Sequence, residues 1–234
     1  MNHLTEVVAS ITRSRGRTNL YHVTRAANLA HIADTDSLLS SDLLAPQLSG
    51  IRRHKPTIVD YEGRQVTLNA HLRIPEAMMA PGVSDTAFHA YLDKHVFCWL
   101  TKRDCWHMVE SYTRREPTLT LAVMELDAAA LLMDYEGRVK LSKYDSGSAP
   151  RYPGRCSYRK SPEMFVSLSS FGQIEGQGKP MKPSEIREVL IEDKIERVSS
   201  YINAFYCDDM GAIPGGWDAI YRPMSALKPG AMDN

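Results

Sequence analysis

The sequence predicts an α+β fold of short strands in mixed sheets with helices inserted between them, and three observations carry that expectation. The apolar runs are short, between three and seven residues, and Gly, Pro, Asp or charged residues bound them. Segments of helical periodicity fall between those runs rather than in a block of their own. No internal repeat or low-complexity tract interrupts the order.

Taken along the chain, Leu4, Val7, Val8 and Ile11 give residues 1–12 one apolar helical face, ahead of the basic stretch Arg13 to Arg17. Leu20 to Val23 suits a buried strand. Thr24 is placed to cap a following helix packed through Ala27, Leu29 and Ile32. Residues 34–56 read as a loop ending in Arg52-Arg53-His54-Lys55. Thr57 to Tyr61 and Gln65 to Leu68 flank Glu62-Gly63-Arg64, the pattern of a hairpin. Residues 75–87, with Pro75, Pro81 and Gly82, are expected to cross the surface. Val96 to Leu100 reads as a strand, Asp104 to Arg115 as a helix closed by Pro117, and Leu119 to Glu125 as a strand. Asp127 caps a short helix through Leu132. Val139 to Leu141, Met164 to Leu168 and Val189 to Ile191 complete the strands, with the loop Asp145 to Lys160 between the first two.

Charge narrows the functions open to such a fold. The 234 residues carry 28 Lys+Arg against 28 Asp+Glu, so bulk attraction to a polyanion is excluded and any nucleic-acid contact needs a local basic patch. Hydrophobic content of 43% with 24% charged residues suits one globular domain, expected over 1–234 with a core of about 18–205 and a C-terminal extension at 206–234. No apolar run approaches the ~18 residues of a membrane span, and the first residues lack a signal-peptide core; a cytoplasmic protein without a membrane partner is expected. Cys98, Cys105, Cys156 and Cys207 form no CxxC pair. Cys98, Cys105 and His107 lack a fourth ligand at recognisable spacing, so no metal is expected.

Five constellations have chemical content. His22 alternates onto the strand face opposite Tyr21 and Val23, and with Thr24 and Asn28 it surrounds a strand-to-helix turn suited to a ribose or phosphate; alone it reads equally as a structural histidine. Arg52 and Arg53 offer guanidinium forks for a pyrophosphate, or a solvated basic face. Phe97 and Trp99 share one strand face and can wall a flat ligand, or belong to a core. Glu188 opens an apolar strand, either as a functional carboxylate or at an exposed sheet edge. Arg151, Arg155, Tyr158, Arg159 and Lys160 interleave cations with an aromatic, the pattern of a single-stranded nucleic-acid contact or of a solvated loop. Walker A, GxGxxG, HExxH, GxSxG and EF-hand patterns are absent.

In combination, these segments resemble the DarT-like branch of the ADP-ribosyltransferases. Tyr21-His22-Val23-Thr24 with Asn28-Leu29 is similar to the family's YH[IV]T element and following Asn-Leu. Ile51-Arg52-Arg53 resembles its basic segment, and Glu188-Val189-Leu190-Ile191 its late strand. Val96 to Trp99, Thr118 to Asp127 and Leu141 to Ser148 also resemble an uncharacterised bacterial family. The likeness runs in pieces over about residues 18–200. It implies an ADP-ribosyltransferase-like fold and a mono-ADP-ribosyltransferase that uses NAD as co-substrate and needs no metal. Glu188 would be catalytic. Tyr21, His22, Thr24, Asn28, Arg52 or Arg53, Phe97 and Trp99 would contact NAD. The implied acceptor is a base in single-stranded DNA or RNA, docked by Arg151 to Lys160, with a toxin or phage-defence role and an antitoxin as partner. A protein acceptor is the alternative, although Ile186 stands where arginine- or guanine-modifying transferases carry Gln or Glu. A catalytically inert nucleotide- or partner-binding module is the rival from another class.

Overall fold

The computed structural model describes residues 3–150, 152–176 and 178–230. Its elements begin with α1 (His3–Thr12), β1 (Asn19–Arg25), α2 (Leu29–Thr35), β2 (Ser37–Leu39), α3 (Ser41–Leu44), β3 (Thr57–Tyr61) and β4 (Arg64–Leu68). They continue with α4 (Asp85–Asp93), β5 (His95–Trp99), α5 (Lys102–Arg115), β6 (Leu121–Asp127), α6 (Ala128–Asp134) and β7 (Val139–Ser142). The last are β8 (Val166–Ser167), β9 (Glu188–Glu192), β10 (Lys194–Glu196), β11 (Ile202–Cys207) and β12 (Tyr221–Arg222). The α+β class holds. Two compact units form: Met1–Leu38 with Phe97–Tyr135 and Ile195–Asn234, and Leu39–Val96 with Glu136–Lys194.

In the first unit β6 is the central strand. Leu121 to Met124 and Leu126 are buried, so the run is apolar without alternation because both faces are covered. β1 pairs with it antiparallel from Asn19↔Asp127 to Arg25↔Leu121. β11 pairs on its other side, with an irregularity between Ile202 and Ala204, and β12 runs parallel to β11. β5 meets β1 at Tyr21↔Trp99. α5 packs Cys105 and Val109 onto Tyr21, Val23, Val123 and Tyr206. Its start is fixed by Thr101, whose hydroxyl accepts from the Asp104 N–H at 3.1 Å and donates to the Asp104 carboxylate at 2.7 Å. Arg114 and Arg115 occupy its last turn, where the helix dipole favours cations. Asp127 caps α6 by accepting from Ala130 N–H at 2.9 Å.

In the second unit β9 pairs antiparallel with β7 from Val139↔Ile191 to Ser142↔Glu188, and β8 lies on β7. The hairpin β3–β4 closes through Glu62 and Gly63, both at positive φ (53° and 77°), as a two-residue turn demands. Val59, Val66 and Leu68 seat it on Ala45.

Three expectations need correction. The 34–56 stretch is not a loop: it carries β2, α3 and a 3-10 turn at Pro46–Leu48, with Ser40 capping α3 through Leu43 N–H at 3.3 Å. The 75–87 crossing runs into α4, capped by Ser84 through Ala87 N–H at 3.1 Å. Thr24 caps nothing, because Arg25 precedes a 3-10 turn whose cap makes no side-chain bond.

Candidate functional site

Glu188 is the first residue of β9, and only 2% of it is exposed. Strand pairing places it opposite Ser142, whose hydroxyl donates to the Tyr144 carbonyl at 2.7 Å and so turns the chain out of β7. The turn brings Ser146 to the carboxylate. Ser146 donates to Glu188 Oε2 twice, from its backbone N–H at 2.9 Å and from its hydroxyl at 2.6 Å. Among the described residues no hydrogen bond reaches Oε1. Burial and the nearby Asp145 charge push the Glu188 carboxyl up to about 7, against the pull of the Ser146 bonds and the Lys160 charge. A carboxyl so poised is populated in both protonation states at neutral pH, which suits proton transfer as well as charge stabilisation.

Lys160 lies fully buried beside it. Its ammonium donates to the Asp145 carbonyl at 2.8 Å and the Ser146 carbonyl at 2.6 Å. Burial pulls the amine down to about 8, with Glu188 and Asp145 holding it up. The expected contact of Lys160 with a nucleic-acid strand is therefore corrected: its charge is committed inward. The rest of that basic segment divides. Arg151 lies outside the described residues. Arg155 is exposed, its guanidinium 5.5 Å from the centre of the exposed Tyr152 ring. Arg159 is exposed and donates to the Cys156 and Tyr158 carbonyls at 2.9 and 3.0 Å. Tyr158 is half-buried, stacked on Tyr144 with ring centres 3.8 Å apart, so one of its faces is already covered.

The two arginines also part company. Arg53 is buried and its Nη2 lies 2.8 Å from Asp93 Oδ1, while its Nε donates to the Asn69 carbonyl at 3.1 Å. His71 presents Nδ1 to the Arg53 backbone N–H at 3.2 Å and Nε2 to Asp93 at 3.0 Å. Arg53 Nη2 also lies 2.7 Å from His71 Nε2, so guanidinium, imidazole and carboxylate form one cluster. Burial raises the Asp93 carboxyl, but hydrogen bonds from His71 and Arg53 and the Arg53 charge outweigh it and leave the group lowered. Arg53 thus commits Nη2 and Nε to this cluster, while its Nη1 is buried without a hydrogen-bond partner. Arg52 is half-buried, and its Nε is buried without a hydrogen-bond partner.

In the first unit, His22 Nδ1 lies 2.8 Å from the Phe97 carbonyl. A carbonyl only accepts, so Nδ1 carries the proton and Nε2 is an acceptor. Burial lowers the imidazole pKa, with the Phe97 bond opposing, which keeps the ring neutral near pH 7. Thr24 and Asn28 are buried together, the Asn28 amide 3.5 Å from the Thr24 hydroxyl. Tyr21 and Trp99 are registered partners and share the core face under α5, against which Phe97 also packs. His22, one residue from Tyr21, faces the other way. Trp99 and Tyr21 therefore belong to the core, and the half-buried Phe97 packs against it on the face away from His22.

Sequence reasoning misses Ser146, Asp145 and Asp93. The segment Leu141 to Ser148 draws notice by its resemblance, but nothing in it announces a partner 42 residues away. Among the described residues no group of three or more His, Cys, Asp or Glu side chains is arranged to hold a metal ion. No helix there is long and apolar enough to cross a membrane.

Residues 18–202 match the model of DUF7002, described as a family of unknown function. The chain belongs to that family. Among solved structures, this DUF7002 chain is similar to Thermus sp. 2.9 DarT in complex with NAD+, at 13% identity and TM-score 0.41, with 84% of each chain covered. The same protein in complex with carba-NAD+ matches at 12% identity and TM-score 0.41, covering 85% of this chain and 86% of that one. Its complex with ADP-ribosylated ssDNA matches at 13% identity and TM-score 0.38, with 84% of each covered. None of the curated proteins matches the sequence.

Proposed function

We propose that the protein is an NAD-dependent mono-ADP-ribosyltransferase acting on a base in single-stranded DNA or RNA. The observation that carries this reading is Glu188: a buried carboxylate held through one oxygen by two Ser146 donors, at the head of the strand whose sequence resembles the transferase motif. In the reaction the bond from ribose C1′ to the nicotinamide nitrogen breaks and its electron pair leaves with nicotinamide. Positive charge develops on the ribose, as in glycoside hydrolysis. Glu188 stabilises that charge and orients the 2′-hydroxyl through Oε1. A nitrogen of the acceptor base then bonds to C1′, and the proton it sheds passes to Glu188 or to solvent.

His22 supports the same chemistry in a second way. As a neutral acceptor at Nε2 it matches a ribose hydroxyl donor, and Arg52 or Arg53, each with a buried guanidinium nitrogen that lacks a hydrogen-bond partner, is assigned to the pyrophosphate. The exposed Arg155 and Arg159 are assigned to acceptor phosphates, with exposed Tyr152 and half-buried Tyr158 beside them for bases. Such an activity would make the protein a toxin or phage-defence effector in the cytoplasm, restrained by an antitoxin.

The test is mass spectrometry of DNA, RNA and protein pools incubated with NAD and the protein. A gain of one ADP-ribose on nucleic acid supports the reading, and a gain on protein alone moves the acceptor to protein. No gain on any pool, with NAD intact, returns the chain to a binding module.

A further inference from the structure

We propose that Lys160 is a positioning residue for Glu188, tying the 145–146 turn in place so that both Ser146 donors stay on one carboxylate oxygen and the other faces the ligand. The inference rests on the transferase reading only for its effect on turnover. Lys160 is anchored at both ends. Its backbone N–H donates to the Met78 carbonyl at 2.7 Å and its carbonyl accepts from Ala80 N–H at 3.0 Å, a bridge to Met79. From that anchor the side chain reaches the carbonyls of Asp145 and Ser146, at 2.8 and 2.6 Å. Ser146 in turn holds Glu188 Oε2. A continuous series of hydrogen bonds therefore runs from the 78–80 segment through Lys160 to the carboxylate.

Two carbonyls do not need an ammonium. A neutral amide would satisfy them without the cost of stripping water from a full charge. The charge makes sense beside the groups that face it, Glu188 and Asp145, with Cys156 also near. Glu188 itself faces Asp145, Ser146 and Lys160. Of these only Lys160 is a cation, and its charge adds to the two Ser146 hydrogen bonds in favouring the ionised carboxylate against burial and against Asp145. The same residue thus supplies geometry, through the turn, and charge.

The experiment is a pH titration of the Glu188 carboxyl by 13C NMR, assigned by its loss in Glu188→Gln, in the wild-type protein and in Lys160→Met, Lys160→Gln and Lys160→Arg. An opposite charge at close range shifts a carboxyl by ~1–3 units, so Lys160→Met and Lys160→Gln are expected to raise the Glu188 titration by about one unit or more. Lys160→Arg is expected to restore most of it. With NAD and a mixed-sequence single-stranded oligonucleotide, the acid limb of kcat should move up by the same amount while the Kd for NAD changes by less than about threefold, the split expected of a group that acts on the transition state. An unmoved Glu188 titration in folded Lys160→Met or Lys160→Gln overturns the proposal, whatever the activity does. Wild-type protein that transfers nothing would overturn the transferase reading alone, since the carboxyl titration is read without turnover. Should all three Lys160 variants fail to fold, Ser146→Ala decides: a Glu188 titration unchanged there breaks the series of hydrogen bonds.

Discussion

The second unit buries two carboxylates with a cation beside each, and they behave in opposite ways. Asp93 is met by Arg53 at 2.8 Å and by His71 at 3.0 Å, and its other oxygen accepts from Gly50 N–H at 3.1 Å. Both oxygens are satisfied, the charges match, and its pKa is lowered. Glu188 has one oxygen satisfied, its neighbouring cation spends two donors on backbone carbonyls, a second acid stands near, and its pKa is raised. A carboxylate met at both oxygens in this way holds the fold together. A buried carboxyl with one oxygen free of hydrogen bonds among the described residues and a raised pKa is equipped for chemistry.

The largest expected effect breaks the closed cluster. Arg53→Met should lower unfolding stability by about 3–5 kcal/mol, because it leaves Asp93 buried without its cation. Urea denaturation measures it, and a drop under about 1 kcal/mol would mean the pair does not have the structural role assigned here.

Next comes the open cluster. Glu188→Gln should reduce ADP-ribose transfer by ~10²–10³-fold, the usual cost of one missing charge stabilisation. Its melting temperature should hold or rise, since a buried charge is relieved. Transfer within about threefold of wild type would remove Glu188 from the reaction.

The two carboxylates also predict opposite pH dependences. The native state keeps the Glu188 proton up to about 7, whereas the unfolded chain loses it near the ordinary glutamate value. Between those values the folded form binds more protons, so this group makes stability fall as pH rises. Asp93 does the reverse: its contribution is present above the ordinary aspartate value and disappears as pH falls through the lowered native one. Melting curves of Glu188→Gln from pH 4 to 8 should therefore lose a declining component that Asp93→Asn retains.

The smallest effect concerns cations outside both clusters. Arg155→Ala with Arg159→Ala should flatten the log–log salt dependence of single-strand binding by about 1.4, roughly 0.7 for each phosphate no longer neutralised. Filter binding across a salt series reads the slope. An unchanged slope would leave the exposed arginines without an acceptor role.

What is legible in the sequence follows from how each feature is encoded. β1, β5, β6, the β3–β4 hairpin and α5 are readable because alternation, continuous burial, a Gly-containing turn and a Pro stop are local signals. α4 hides behind Pro81-Gly82, although Ser84-Asp85 is a capping signal that marks its start. Glu188 is visible as an acid at the head of a buried strand. Lys160 and Arg53 mislead for one reason. A charge in a basic run looks solvated until the fold supplies its counter-charge, and those partners, Glu188 and Asp93, are distant in sequence. Alternation places Phe97 and Trp99 on the same strand face, but which face meets the core is set by β1 pairing and α5.

The Lys160 ammonium and the Asp145 carbonyl close a loop whose ends are 15 positions apart in the chain. Closing it at the base makes the interior tolerant of change, since the entropic cost of lengthening such a loop grows only with the logarithm of its length. Insertions and exchanges between Gly147 and Ser157 can therefore accumulate without displacing the carboxylate below.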